Sequence, residues 1–445
     1  MNSSMKNTLL FGIVFGLIII AGLFQGWNNA MLIFNMGLIS AIMALGVNLQ
    51  WGFAGLFNVG VMGFVALGGL AAVLMGMPRT EGAWSAGGGG VVIALLLGAA
   101  TMLAAIILMK KMKAGRLRNL CVAALLIAGF FVFRSLYDPS VASIEAINPA
   151  ATGFLGGLNP GTDETYKSNG WVMLLAWPLG GILAAGAAWL IGKVALGLRS
   201  DYLAIATLGV AEIIIAILKN EDWLTRGVKN VIGIPRPVPY EIDLQNSAAF
   251  VERAASFGMD PVEGSTIYVK FLYAILFGAV LLILIWLSQR ALNSPWGRML
   301  RAIRDNEVAA EAMGKDVTAR HLQVFILGSA ICGIAGAMMT TLDGQLTPGT
   351  YQPLRFTFLI WVMVIVGGSG NNLGAILGGF LIWFLWVQVE PIGMWIMGIV
   401  TSGMADGSAL KSHLIDSAAH MRLMTMGLIM ILVLRFSPKG LIPEK

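Results

Sequence analysis

The stretch NLQWGFAGLFNVG, from Asn48 to Gly60, interrupts a long apolar sequence with amide side chains and glycines. Apolar runs lie on both sides of it, at residues 31–49 and 57–75. A helix of about 20 such residues crosses a hydrocarbon core of ~30 Å. Backbone groups freed by a break are tolerated at membrane depth only where protein or a water-filled cavity surrounds them. The stretch therefore predicts a broken helix inside a membrane protein.

A second break of the same kind lies late in the chain, where GGSGNNLG runs from Gly367 to Gly374. Paired glycine-interrupted segments in two halves of a chain indicate a transport site near the bilayer midplane. Free amides at the breaks, and the helices that start there, favour a small solute with a carboxylate. Alternatively, the glycines do no more than let helices pack closely. The predicted solute path at the breaks comprises Gly52, Gly55, Asn58, Gly60, Gly367, Gly368, Ser369 and Asn371.

The composition agrees with a membrane protein, because 57% of the 445 residues are hydrophobic and 12% are charged, against roughly 25% charged in soluble domains. Twelve apolar runs lie at residues 8–24, 31–49, 57–75, 91–109, 120–132, 172–191, 203–218, 271–287, 322–341, 356–366, 373–389 and 423–434. We expect an all-α fold, a polytopic transmembrane helical bundle with broken helices, over a single domain of residues 1–445. The short runs beside the breaks are either crossings or half-helices. The first run is interpreted as a retained helix, since no small-residue cleavage site follows it.

The basic residues favour one orientation of this bundle. With twelve crossings and both termini in the cytoplasm, 17 of the 29 Lys and Arg residues fall on the cytoplasmic side, as the positive-inside rule requires. The largest groups are residues 110–118 and the loop 289–321. The net charge of +6 is thus explained by the membrane and its lipids, and nucleic-acid binding is not expected.

Two polar segments, Pro139–Gly170 and Lys219–Lys270, fall on the opposite face. They are rich in Pro, Asn, Asp and Gly, which predicts irregular structure. They form either the surface on which a solute-delivery protein docks or a lid of loops that has no partner.

Glu212 lies inside an apolar run, about eleven residues after Asp201 and so near mid-depth at a rise of ~1.5 Å per residue. An acid at that depth is costly and indicates a function. Three interpretations remain open: it carries protons, it binds a substrate ammonium as part of the solute path, or it pins two helices through a hydrogen bond.

The loop 289–321 is predicted to form a helical hairpin. Asn293 or Ser294 can cap a first helix whose first position is Pro295. A second short helix is expected from Asn306, with its end at Gly314. Such an amphipathic hairpin suits docking in a groove of a cytoplasmic partner. Alternatively, it lies on the anionic inner leaflet.

Several chemistries are excluded by the sequence. No phosphate-binding loop of the form G-x-x-x-x-G-K-[ST] occurs, so the chain is not its own nucleotide motor by that route. Cys121 and Cys332 have no metal-ligand spacing, and His321, His413 and His420 form no cluster. We expect no metal site, no cofactor and no enzymatic activity in this chain.

Four segments resemble the larger permease subunit of branched-chain amino acid ABC importers, a family related to urea and amide permeases. They are WGFAGLFNVG at 51–60, GLRSDYLAIATLGVAEI at 197–213, GRMLRAIRDNEVAAEAMG at 297–314 and VGGSGNNLG at 366–374. They follow the order of the family and cover about 31–76 and 171–390. Against that family core, residues 80–170 look like an insertion with two extra spans and an outer loop.

The resemblance implies a bacterial inner-membrane importer in which this chain is one of two homologous permease subunits. Two cytoplasmic ATPase subunits would hold ATP and Mg, and a periplasmic solute-binding protein would deliver the amino acid. The loop 219–270 would then be periplasmic, and the loop 289–321 would be the coupling loop. The residues expected to couple it to the ATPases are Arg301, Arg304, Glu307, Ala309, Ala310, Glu311 and Gly314.

The coupling loop departs from the importer consensus E-A-A-x-x-x-G, because Val308 stands where Glu is usual and Glu307 comes one place early. The break at 51–60 has Phe57 and Asn58 where relatives often carry Ser. Branched-chain amino acids are the expected substrates, with a wider amino-acid set or urea and amides as alternatives. Rivals from other classes are a proton-coupled transporter that acts alone and a passive channel.

Overall fold

The structure is a computed structural model that describes residues 3–147, 155–159, 161, 165–198, 200–404 and 408–444. Parts of the predicted insertion, at 148–154, 160 and 162–164, lie outside the described residues. So do two of the basic residues counted on the cytoplasmic side, Arg199 and Lys445. The described chain is 81% helical, which confirms the all-α polytopic bundle.

Helices long and apolar enough to cross a membrane number nine within the described ranges. They are α1 (Ser3–Gln25), α2 (Trp27–Ala54), α4 (Gly89–Lys111, extended at its start by a π-helical turn from Trp84), α5 (Arg116–Glu145), α6 (Val172–Ala195), α7 (Ser200–Asn220), α11 (Pro261–Asn293), α14 (Val317–Asp343) and α16 (Asn372–Val400). A bent pair, α17 (Ala409–Ser417) and α18 (Met421–Phe436), makes a tenth candidate. The remaining apolar helices are α3 (Val61–Gly76) and α15 (Pro353–Gly367).

The two short helices, α3 and α15, follow or precede the predicted breaks. At 16 and 15 residues they are about 24 and 22 Å long, less than the ~30 Å core. Most of their residues are buried, so protein rather than lipid surrounds them. All twelve apolar runs therefore contain helix, and at each break one of the two flanking helices is shorter than a full crossing.

The connection between α11 and α14 is a hairpin of two short helices, α12 (Pro295–Asp305) and α13 (Glu307–Ala312). We call it the α12–α13 hairpin and its end of the bundle the hairpin side. Both described ends of the chain lie there, because Asn7 lines one pocket with Arg301 and Glu444 contacts Arg304.

The centre of the bundle is built on close contacts between α3, α6 and α14. A Cβ atom at Gly68 of α3 would lie 1.9 Å from the carbonyl oxygen of Gly333 in α14, and one at Gly336 would lie 1.9 Å from that of Val65. Gly180 of α6 meets Gly333 as well. Small residues allow this approach, on which packing between membrane helices depends. α2 packs along α14 and α16 and closes the core.

The predicted insertion at 80–170 contains an antiparallel pair, α4 and α5, that packs mainly on itself. Tyr137 of α5 ties this pair to the residues after α7. Its hydroxyl donates to Glu221 and accepts from the indole of Trp223 at 2.8 Å. The prediction of irregular structure over Pro139–Gly170 is wrong for its first residues, because α5 continues through this proline to Glu145. Residues 155–159 are irregular as predicted.

The loop 219–270 is more ordered and shorter than predicted. It contains α8 (Asp222–Thr225), α9 (Glu241–Gln245) and α10 (Ala248–Ser256), and α11 already begins at Pro261. Its strand β1 (Val231–Ile232) pairs antiparallel with β2 (Gln345–Leu346), just after α14. This pairing ties the loop to the side of the bundle opposite the hairpin, which we call the far side.

The contact at Gly336 generates a stability prediction. Replacing Gly336 with Ala puts a methyl group into the backbone of α3, and such overpacking costs about 1–3 kcal/mol. We expect a lower melting temperature of the purified chain in detergent. The control is Gly186→Ala in α6, where nothing lies within 4 Å of the new Cβ. Equal melting temperatures for the two variants would contradict the close-packing interpretation.

Candidate functional site

The two predicted breaks meet in space on the hairpin side. Asn48 of α2 accepts a hydrogen bond from the amide of Gly370 at 2.9 Å and donates one to the side chain of Asn372 at 3.1 Å. Gly52 lies against the same turn, because a Cβ there would be 2.4 Å from the nitrogen of Gly370. The early and late breaks therefore form one site, although 322 residues separate Asn48 from Gly370.

Hydrogen bonds from within the chain satisfy the first break. The amide of Gly60 donates to the side chain of Asn58 at 2.9 Å, and that of Val59 donates to the hydroxyl of Thr207 in α7 at 3.1 Å. The side chain of Asn58 donates in turn to Gln50 at 2.9 Å, and its carbonyl accepts from the indole of Trp361 at 3.1 Å. The expectation of free amides is wrong for these groups, which the protein itself pairs.

The second break is covered by the chain's own C-terminal segment. The amides of Leu441 and Ile442 donate to the carbonyls of Val366 and Gly367, each at 2.9 Å. Asn371 caps α16 by accepting from the amides of Leu373 and Gly374, at 3.0 and 3.4 Å. Gly367, Gly368 and Gly370 are buried, whereas Ser369 is exposed. The first amides of α16 are therefore paired within the protein, like those of the first break.

Arg304 joins the α12–α13 hairpin to both breaks. Its guanidinium donates to the carbonyl of Gly52 at the end of α2 and to the carboxylate of Glu444 at 2.9 Å. Glu444 belongs to the C-terminal segment that covers the second break. Burial alone would lower the pKa of Arg304, but hydrogen bonds and attraction to Glu444 and Asp305 outweigh it and raise the pKa further. Arg304 therefore stays positively charged where the hairpin meets the two breaks.

The hairpin has the predicted boundaries. Ser294 is the N-cap of α12 with Pro295 at its first position, and Asn306 caps α13 by accepting from the amide of Ala309 at 3.0 Å. Gly314 has the left-handed conformation, with φ of 76°, which favours glycine at a helix end.

The predicted coupling residues divide into two groups. Arg301 and Arg304 bond back to the chain, Arg301 through the carbonyl of Leu292 at 3.5 Å, and Ala310 packs inside the hairpin with Ile303 and Val317. The exposed group comprises Glu307, Ala309, Glu311 and Gly314. Sequence reasoning missed two exposed apolar side chains, Val308 and Met313, which are 76% and 79% exposed. The signal in the sequence was the apolar character of these two residues in a hairpin that is otherwise rich in charge.

Glu212 is separate from both breaks. It is exposed on α7, on the face that also presents Gly209 and Ala216. Its carboxylate makes no hydrogen bond or ion pair with any residue that the structure describes. The interpretation as a pin between helices of this chain is therefore wrong, and the residue points away from the subunit.

A cavity of about 180 Å³ lies between α2, α3, α14, α15 and α16, beside the breaks. Its apolar walls carry five methionines, Met36, Met43, Met62, Met339 and Met363. Asp343, Thr350 and Trp383 also line it. The sequence analysis did not identify these residues, because five separate helices supply them and they share no local pattern.

The junction of the breaks generates a second prediction. Replacing Asn48 with Leu leaves the amide of Gly370 and the side chain of Asn372 without their partner, and each buried orphan costs about 1–3 kcal/mol. We expect a clear fall in the melting temperature of the purified chain. Asn246→Leu, at an exposed position of the far-side loop, is the control. An Asn48→Leu variant as stable as that control would show that the two breaks are not held together here.

The chain is similar in sequence to known transport permeases. The high-affinity branched-chain amino acid transport system permease protein LivM of Salmonella typhimurium is 31% identical over 210 residues, which are 46% of this chain and 48% of that protein. A probable LivM of Methanocaldococcus jannaschii is 29% identical over 276 residues, 62% of this chain and 69% of that one. A probable LivH of the same archaeon is 29% identical over 152 residues, 34% of this chain and 45% of that one.

The matched part spans about half the length of the Salmonella relative. No solved structure matches. The family model described as the branched-chain amino acid transport system permease component matches residues 154–434, which hold α6, α7, the α12–α13 hairpin and the second break. Since that is more than half of the chain, this protein belongs to the family of branched-chain amino acid transport system permease components.

Proposed function

We propose that this chain is a permease subunit of an ATP-driven importer that moves branched-chain amino acids across the bacterial inner membrane. The observation that carries the proposal is the contact of Arg304 with both Gly52 and Glu444. Through it, a hairpin suited to docking is bonded to the two helix breaks. An external motor that displaces the hairpin would therefore act on the breaks directly.

The proposed motor is a pair of cytoplasmic ATPase subunits that bind ATP and Mg. Exposed Val308 and Met313, flanked by Glu307 and Glu311, give the hairpin an apolar tip with an acidic border. Apolar anchors in a polar rim are typical of docking surfaces. In this arrangement the hairpin and both chain termini are cytoplasmic, and the loop 219–270 faces the periplasm, where a solute-binding protein docks.

The proposed second permease subunit is supported by the similarity to both LivM and LivH proteins. The outward face of α7 is where we expect it to pack. A carboxylate at mid-depth is costly in lipid, so Glu212 favours a polar partner over acyl chains. Gly209 and Ala216 flank it at helical spacing, and small residues let a second helix approach closely.

In the proposed cycle, ATP-driven closure of the motor shifts the hairpin against α2 and the C-terminal segment. The coupling energy is the difference between the hairpin's contacts with the two motor states. Arg304 passes this shift to the end of α2 and, through Glu444, to the break before α16. Both breaks then move together, because Asn48 already bonds them to each other.

Reconstitution tests this function. Proteoliposomes that contain this chain with the second permease, both ATPases and the binding protein should accumulate leucine when ATP is supplied. Omitting the ATPases, or using ATPases that do not hydrolyse, should abolish uptake.

Leucine uptake by this chain alone, lost when the proton gradient is collapsed, would instead indicate a proton-coupled transporter. Downhill flux through the chain alone without a gradient requirement would indicate a passive channel. Uptake of urea but not leucine by the full complex would indicate a urea or amide permease. Each of these outcomes contradicts the proposal.

The junction at Arg304 generates a prediction about coupling. Replacing Arg304 with Gln breaks the bonds to Gly52 and Glu444 while the hairpin surface stays intact. We expect solute transported per ATP to fall about fivefold or more, the lower range of allosteric coupling, while the ATPase subunits still bind.

The matched control is Arg298→Gln in the same helix, an exposed arginine whose side chain, among the described residues, bonds to the carbonyl of Asn293 at 3.4 Å. Both variants are assayed for leucine uptake and ATP hydrolysis in the same proteoliposomes. Unchanged transport per ATP in Arg304→Gln, or an equal loss in Arg298→Gln, would contradict the role of this junction.

A further inference from the structure

The cavity beside the breaks has walls suited to an aliphatic side chain. Methionine thioethers are polarizable and flexible, so a methionine-lined pocket adapts to groups of slightly different shape. At about 180 Å³ the cavity holds roughly six water volumes of ~30 Å³, which is small against the 300–1,000 Å³ of pockets for drug-sized ligands. Its size and walls fit a small apolar group.

Asp343 lines the cavity with a carboxylate that has no structural role in the described chain. It makes no hydrogen bond or ion pair there, and it is exposed. The guanidinium of Arg236, which lies beside Gly344, is paired with Glu241 at 3.0 Å. Asp343 also ends α14, and the C-terminus of a helix is its negative end. An acid in this position interacts unfavourably with the helix dipole and favours a bound cation.

Trp383 lines the cavity and carries a second polar group without a partner in the described chain. Its indole nitrogen is buried and finds no acceptor among the described residues. A buried donor without an acceptor is rare and costs free energy. An indole N–H only donates, so it matches a carboxylate or carbonyl oxygen.

The residues that line the cavity therefore include an unpaired carboxylate, a tryptophan whose buried N–H has no acceptor among the described residues, and five methionines. We infer that it binds an α-amino acid with an aliphatic side chain, whose ammonium pairs with Asp343, whose carboxylate accepts from Trp383 and whose side chain lies among the methionines. This inference rests on the proposed function and assigns the substrate to a site other than the predicted path at 51–60 and 367–371.

The cavity lies next to both breaks, which the proposed motor would move. Met62 is in the first turn of α3, directly after the first break, and Met363 lies one helical turn before Gly367 at the second. Any movement of the breaks therefore changes the cavity wall. A ligand that fits one arrangement better than the other shifts the equilibrium between them by that difference in affinity.

Binding to the purified full chain in lipid nanodiscs tests the inference, with three probes and the shift in melting temperature as readout. Leucine should stabilise the chain, isoamylamine, which lacks the carboxylate, should stabilise it less, and 4-methylpentanoate, which lacks the ammonium, should not. Replacing Asp343 with Asn should weaken leucine binding about tenfold or more, as expected for losing a bond to a charged group. Trp383→Phe should weaken leucine but leave isoamylamine unchanged.

The matched control is Asp243→Asn, an exposed acid on the far-side loop, which should bind leucine like the wild type. Wild-type chain that is not stabilised by leucine, or an Asp343→Asn variant with unchanged affinity, would overturn the inference. Leucine transport by the complete complex separates this failure from that of the proposed function. A complex that carries Asp343→Asn and transports leucine with unchanged rate and KM overturns the site alone, whereas a wild-type complex that transports no leucine overturns the function.

Discussion

A backbone group released where a helix stops inside the packed bundle needs a partner within the protein, because a buried polar group without one costs free energy. In this chain, α2 and α15 both stop on the hairpin side, and Asn48 meets that need by bonding to the amide of Gly370 and to Asn372. Only glycine fits at position 52, where a Cβ would collide with Gly370. The two halves of the bundle are joined at this contact.

The same requirement explains why the C-terminal segment folds back into the bundle. The carbonyls of Val366 and Gly367 at the end of α15 accept hydrogen bonds from the amides of Leu441 and Ile442. That placement brings Glu444 to Arg304, with both side chains partly shielded from solvent. The C-terminal segment therefore does two things. It pairs the carbonyls at the end of α15, and it links the α12–α13 hairpin to the second break.

The sequence was sufficient where the signal is local. Apolar runs predicted the helices, and a serine before Pro295 and an asparagine before Glu307 predicted both starts of the hairpin. The sequence did not predict contacts between residues far apart in the chain. Thr207 accepts a hydrogen bond from the amide of Val59, 148 residues before it, and Glu444 pairs with Arg304, 140 residues before it. Asp343 and Trp383 lie on different helices, and no periodicity relates them. The sequence pattern did not predict that Glu212 points outward, and it did not predict the cavity.

The short helix α15 is the element on which coupling and solute binding converge. Its hairpin-side end is held by the C-terminal segment, and its middle forms a wall of the cavity through Leu359, Ile360 and Met363. In the proposed cycle, this helix of 15 residues would move as a unit, with Gly367, Gly368 and Gly370 as the hinge. Displacement at Arg304 would then reach the methionine wall without any change inside α15. The breaks, on this view, transmit motion, and the solute binds beside them rather than in them.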